Sequence, residues 1–273
     1  MEKKNRTLWI VLAVVAALAV LCCCLVAAAG ALLVPISMRG GVPEGANWRW
    51  GFQAPGLDIT ERIEKTFEVG SDPALRVDNF AGEVTIRAGG SGVVRVVATK
   101  RIRRAGNLDA IVVEMSGAEI TTSHPTLPNI SNATVKLEIT VPADTVLDLH
   151  TGAGAIDVRD VQGDLRVDAG AGSVVIRGAA GLVNVTNGAG SIDYDGNPTG
   201  LCTFHAGAGS ITLRLPANAN VIVNLNAGVG GVHSDLPVDG AVTRRTISGA
   251  IGTGSAANIT ASAGVGSIDL LRR

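Results

Sequence analysis

Residues 165–177 read LRVDAGAGSVVIR, and this stretch decides the fold. Leu165 and Val167, then Val174 and Ile176 past the glycines, alternate with Arg166, Asp168, Val175 and Arg177, so two short strands each turn an apolar edge inward. Between them, Gly170-Ala171-Gly172 lets the backbone turn where a side chain would obstruct it. A Gly-Ala-Gly or Gly-Val-Gly tripeptide begins at Gly152, Gly170, Gly188, Gly207, Gly228 and Gly264, at intervals of 18, 18, 19, 21 and 36. A fixed period marks a repeat architecture, and the last interval is two repeats.

Alignment on the first glycine of each tripeptide exposes apolar columns. The position five before it reads Leu147, Leu165, Val183, Cys202, Val223 and Ile259, and three before it stand Leu149, Val167, Val185, Phe204, Leu225 and Ala261. Four after it come Ile156, Val174, Ile192, Ile211, Val232 and Ile268, and six after it Val158, Ile176, Tyr194, Leu213, Ser234 and Leu270. Ser234 and Ala261 are the weak members. A meander of hairpins fits the alternation, but not a turn glycine held in phase with the columns. Coils stacked about 4.8 Å apart fit both. They require a small corner residue of positive φ on each rung, which Gly154, Gly172, Gly190, Gly209, Gly230 and Gly266 supply. The Leu frame and the Asn or Cys ladder of leucine-rich repeats are missing.

Outward from this array the pattern loosens. Leu75, Val77, Val84 and Ile86 flank Phe80 and Gly82 in the same phase, and Val94 to Val97, Ile111 to Met115 and Leu137 to Val141 read as strands. These are expected to be early coils with longer loops, chiefly residues 121–134. At the other end, the double interval holding Arg244, Arg245 and Ile247 reads as a distorted or outlooped coil. The chain then stops at Leu270-Leu271-Arg272-Arg273, which is expected to leave an unpaired edge, blunted by the arginines or open to a partner strand.

The N-terminus is of another kind. Residues 8–36 hold no charge over 29 positions, where a membrane-spanning helix needs about 20. Lys3, Lys4 and Arg6 precede the run, so the N-terminus is expected in the cytoplasm and the remainder outside. Cleavage near Ala27-Ala28-Ala29, or lipidation within Cys22-Cys23-Cys24, are alternatives that leave the rest exported all the same. The organisation expected is therefore a cytoplasmic tip and transmembrane helix at 1–39, a juxtamembrane linker at 40–58 and a β-solenoid at 59–273. In the linker, Trp48, Trp50 and Phe52 would rest on the bilayer or cap the solenoid. The fold class expected is all-β: a Gly-rich, single-chain β-helix or β-solenoid with coils of about 18 residues, preceded by one transmembrane helix.

Function classes narrow by exclusion. The net charge is -1; residues 2–6 contribute +2 of it, leaving -3 for the remainder, unlike the basic balance of a nucleic-acid binder. Cys202 is the one cysteine outside the apolar run, so the outer domain has no internal disulfide, and its inward column makes it a buried apolar residue. Asp157, Asp193 and Asp269 share one repeat position, but Val175, Thr212 and His233 interrupt them. The period is also twice that of calcium-binding nonapeptides. His150 and Asp168 fall on neighbouring rungs, where a carboxylate could orient an imidazole, yet the repeat places no Ser or Cys nucleophile beside them. Tyr194 lies in an inward column, which leaves no aromatic stacking platform for glycans. No catalytic, cofactor-binding or metal-ligating residue and no cofactor is expected.

Residues 64–69 (EKTFEV), 75–86 (LRVDNFAGEVTI) and 135–156, with Val141-Pro142-Ala143-Asp144, are similar to the bacterial putative-adhesin domain of unknown function. Leu215-Pro216-Ala217 repeats the theme. The resemblance spans roughly 59–273 and implies a β-solenoid at the cell surface. Related domains, some described as toast-rack domains, occur in accessory membrane proteins of envelope-stress systems, and the family has no established catalytic residues. The function expected is a non-enzymatic, membrane-anchored extracytoplasmic module, adhesive or scaffolding. An accessory subunit of an envelope-stress sensor with a membrane-protein partner is the alternative, and a carbohydrate-active β-helix enzyme a more distant one. The membrane is the expected partner and no small-molecule ligand is assigned.

Overall fold

The computed structural model describes residues 58–90, 92–103, 108–124, 133–254 and 256–273. The expected transmembrane helix and nearly all of the linker lie outside these residues. Among the described residues no helix is long and apolar enough to cross a membrane, and a 3-10 turn at Leu108–Ala110 is the one helical element. The rest is strand: β1 (Asp58–Glu68), β2 (Ala74–Ala81), β3 (Val84–Ala88), β4 (Val93–Arg103), β5 (Val112–Met115), β6 (Glu119–Ser123), β7 (Ala133–Val141), β8 (Val146–Ala153), β9 (Ile156–Arg159) and β10 (Leu165–Ala171). There follow β11 (Val174–Arg177), β12 (Val183–Ala189), β13 (Ile192–Asp195), β14 (Gly200–Ala208), β15 (Ile211–Leu215), β16 (Val221–Ser234), β17 (Asp239–Val242), β18 (Thr246–Ile251) and β19 (Ala257–Arg272).

The fold is all-β and solenoid-like. Each regular coil contributes one strand to a first wall and one to a second, in parallel and in the register the apolar columns predict. On the first wall Leu147, Leu165, Val183 and Cys202 stack in succession; on the second, Val158, Ile176, Tyr194 and Leu213 do. The inward residues of both walls form one core. Side chains turned the other way are half-buried or exposed, the strict alternation of a sheet with a single buried face.

The corner is set by sterics. Gly154, Gly172, Gly190, Gly209, Gly230 and Gly266 all have φ between 129° and 143°, a region that side chains avoid. Each also sits on the carbonyl of its neighbour: a Cβ on Gly172 would lie 1.8 Å from the Gly154 oxygen. Gly82, at φ 126°, extends the column into the coil formed by β2 and β3.

Three expectations are corrected. First, the coils do not stack strictly in chain order. β19 lies between β14 and β16 on the first wall and between β15 and β16 on the second, so the last strand of the chain is an interior rung. Packing accounts for the order. β19 brings Ile268 and Leu270, both fully buried, whereas β16 ends in half-buried Val232 and Ser234, which suit a terminal rung. Ala261 stacks between Phe204 and Leu225, its small side chain leaving room for the ring. The expected open edge at Leu270–Arg273 is therefore closed, and the Arg273 amide donates to the Leu215 carbonyl at 2.8 Å.

Second, the segment around Arg244, Arg245 and Ile247 is not a distorted coil. β17 and β18 form an antiparallel hairpin, and β18 runs antiparallel along β16, covering Val221 to Leu225 with Ile251 and Ile247. Third, the early segment is only partly coiled. β2 and β3 form a true rung beneath β8 and β9, but β1, β4 and β7 extend the second wall as an antiparallel cap. An antiparallel β5–β6 pair joins the first wall through β2. Both ends of the coil stack are thus finished by strands running against the coil direction.

Candidate binding surface

The two outer walls carry the polar side chains, and in-register stacking dictates how these meet. One residue of each rung lies about 4.8 Å from its equivalent on the next, so like charges repel and opposite charges pair. The first wall obeys this. One column runs Arg76, Asp148, Arg166 and the next Asp78, His150, Asp168. Arg76 Nη1 donates to Asp148 Oδ2 at 2.7 Å, and Arg166 Nη2 to Asp168 Oδ2 at 3.0 Å.

The stacking brings His150 and Asp168 together as the repeat predicts, with Nδ1 3.6 Å from Asp168 Oδ2. On the other side Nε2 lies 2.9 Å from Asp148 Oδ1 without the alignment of a hydrogen bond. Its partners across the rungs are Asp78 and Asp168, neither a Ser or Cys nucleophile that the imidazole would activate. Further along the column His205 Nδ1 lies 2.8 Å from Ser262 Oγ. That pair sits on an open face and its strand neighbour on the far side is Thr186 rather than a carboxylate, so the hydroxyl lacks the oriented base of a nucleophilic site. The pairing was hidden in the sequence because it requires β19 to lie against β14.

Cys202 and Tyr194 are buried in the core as their columns predict. Burial pushes the Cys202 thiol up, and the backbone contacts to Val183 and Thr199 offset part of that rise. The Tyr194 phenol is also raised, chiefly by burial. Neither is poised to react.

The second wall departs from alternation. Its outward column seven residues past the first glycine places Arg87, Arg159 and Arg177 on three successive rungs, followed by Asp195 and Arg214. Asp157 answers the middle cation: Arg159 Nε and Nη2 donate to Oδ1 and Oδ2 at 2.9 and 2.6 Å. This fork holds the Asp157 carboxyl below the usual carboxylate range, with Arg177 and Arg87 adding to the field. Arg214 is tied to Asp193, and Arg273 to Asp195 at 3.1 Å. Arg87 and Arg177 are exposed and make no ion pair among the described residues. Arg87 lies in a shallow groove of about 470 Å³ shared with the cations Arg62, Arg95 and Lys136 and the carboxylates Glu83, Glu138 and Asp157.

Asp157, Asp193 and Asp269 occupy the column expected of them, separated by Val175 and Thr212. Among the described residues no group of three or more His, Cys, Asp or Glu side chains is arranged to hold a metal ion. A second shallow groove, about 390 Å³ on the first wall, is apolar, with Val146, Leu182 and Leu201 exposed along it. The sequence reading missed both grooves. The column seven past the glycine, reading Arg159, Arg177, Asp195, Arg214, would have revealed the first.

Neither a protein-family model nor a curated protein sequence matches the chain. Among solved structures, it is similar to a putative cell adhesion protein from Clostridium sporogenes at 18% identity and a TM-score of 0.44, over 78% of this chain and 100% of that one. A putative adhesin from Bacteroides fragilis aligns at 12% identity and a TM-score of 0.37, over 77% of this chain and 96% of that one. One from Parabacteroides merdae aligns at 9% identity and 0.23, over 78% and 95%.

Proposed function

We propose that the chain is a non-enzymatic extracytoplasmic surface module, adhesive or scaffolding, anchored by its N-terminal apolar run. The observation that carries this reading is the make-up of the outer walls. Ladders of stacked side chains largely neutralise one another, and neither the His150–Asp168 nor the His205–Ser262 juxtaposition combines a carboxylate-oriented histidine with a Ser or Cys nucleophile. A rigid wall with repeating polar rungs suits recognition of an extended partner rather than chemistry on a small one. Its position outside the membrane follows from the uncharged run at 8–36 and the cations before it.

The test is exposure on intact cells. With an epitope tag after Arg273, the full chain should be labelled by impermeant antibody and shaved by external protease, and cells expressing it should gain binding to surfaces or polymers. Labelling only after lysis would refute the reading. The length of the apolar run favours a second role, as an accessory subunit of an envelope-stress sensor paired through its helix. A stoichiometric membrane protein co-purifying in mild detergent, lost when residues 8–36 are exchanged for an unrelated span, would select it.

A further inference from the structure

We infer that the arginine ladder Arg87–Arg159–Arg177 on the second wall is a docking track for a linear polyanion, a polysaccharide or polyol chain bearing phosphate or sulfate groups. The inference rests on the reading of the chain as a surface module and names its ligand class. On the first wall the charged column Arg76, Asp148, Arg166 alternates in sign and then continues as Asn184 and Thr203. Among the described residues only the second wall sets three guanidinium groups on successive rungs; of the carboxylates around them, Asp195 beside Arg177 is held by Arg273, and Glu83 and Glu138 are held by Lys136. Asp157 is taken up by the fork of Arg159. Arg87 and Arg177 remain exposed and make no ion pair among the described residues.

Stacked like charges weaken a ladder unless an anion lies across them. Arg87 and Arg177 stand two rungs apart, about 9.6 Å along the stack. One small anion cannot reach both, whereas successive charges of a polymer can. Arginine forks match tetrahedral oxyanions in two-point contacts. Thr140, which faces Arg87 on the rung beyond it, adds a hydroxyl donor at that end of the track. The column runs along the stacking direction, so the polymer lies across the strands, one charge for every second rung.

The experiment measures retention of the full chain, held in mild-detergent micelles, on immobilised polymers. Heparin supplies sulfate, poly(glycerol phosphate) supplies phosphate and dextran is the neutral control. Binding to either anionic polymer and not to dextran, weakened as salt rises, supports the inference, and the stronger of the two identifies the group preferred. Arg87→Gln and Arg177→Gln should each lower affinity about tenfold, and the double variant about a hundredfold. Arg245→Gln, the same charge change outside this column, should leave it unaltered. Far-UV circular dichroism and melting temperature confirm that the variants are folded.

Failure of wild-type protein to bind either polymer, equal binding by the double variant, or equal retention on single-stranded DNA would each overturn it. The two readings fail separately. A chain labelled on intact cells that binds no polyanion loses the track and keeps the surface role; a chain that binds polyanion in micelles but is never labelled outside loses the surface role.

Discussion

Substituting Gly172 by Ala tests the corner that makes the solenoid. Two costs combine. At φ +136° an alanine is strained by about 1–3 kcal/mol. Its Cβ would also fall 1.8 Å from the Gly154 oxygen, an atom with no freedom to leave. Relief requires the two rungs to part, at the expense of the hydrogen bonds from Gly154 N to Ala171 O and from Ile156 N to Ser173 O, 2.8 and 2.9 Å. Each backbone pair lost at this half-exposed corner costs about 0.5–1.5 kcal/mol. With one such bond lost, the total is roughly 1.5–4.5 kcal/mol, a large fraction of a domain's stability.

Gly70→Ala is the control, since φ is not positive there and nothing lies within 4 Å of its Cβ. That variant should stay within about 0.5 kcal/mol of wild type. Urea titrations of the full chain in detergent, followed at the strand band of circular dichroism, give both numbers. A Gly172→Ala variant within about 1 kcal/mol of the control would refute the reasoning, because the corner would then tolerate a side chain.

Three further outcomes are expected. Phe204→Ala should cost about 3–5 kcal/mol in the same titration, since the ring is wholly buried, 5.1 Å from Tyr194 and stacked on Ala261, which is too small to fill the void. The Cys202 thiol should resist an aromatic disulfide reagent at pH 8 in the folded protein and react at once in denaturant, as burial both hides it and raises its pKa. The Asp157 carboxyl should titrate in a carbon-detected NMR experiment below its ordinary value of 3.8, and Arg159→Gln should move the midpoint upward. Because its folded pKa is depressed, its share of stability is complete above the unfolded value and disappears as pH falls through the folded one. A midpoint at or above 3.8 would contradict the fork.

The apolar columns were legible because stacking imposes one condition on every rung. Leu165, Val183 and Cys202 share a column in the sequence, and they share one in the sheet. The phased glycines carried the corner in the same way. The order of the last two rungs was not legible, since β16 and β19 offer equivalent columns and either could follow β14; only the fit of Ala261 beside Phe204 and the exposed end of β16 separate them. The β17–β18 hairpin and the antiparallel cap escaped for another reason. Their strands, with Val242 and Ile59 exposed, are built to end a stack and lack the repeated column. The arginine ladder was present in the repeat alignment, at a position where acidic ligands were not sought.

Disulfide trapping tests the central claim most directly. Thr212 faces Asp269 on the adjacent rung, and Asp269 in turn faces His233. Cysteines at 212 and 269 therefore stand about 4.8 Å apart in a parallel pair, within disulfide reach, while those at 212 and 233 are separated by two rungs, roughly 10 Å. Mild oxidation should cross-link Thr212→Cys/Asp269→Cys and leave Thr212→Cys/His233→Cys reduced. Cross-linking of the second pair in preference to the first would mean that the coils stack in simple chain order, and the architecture described above would be wrong.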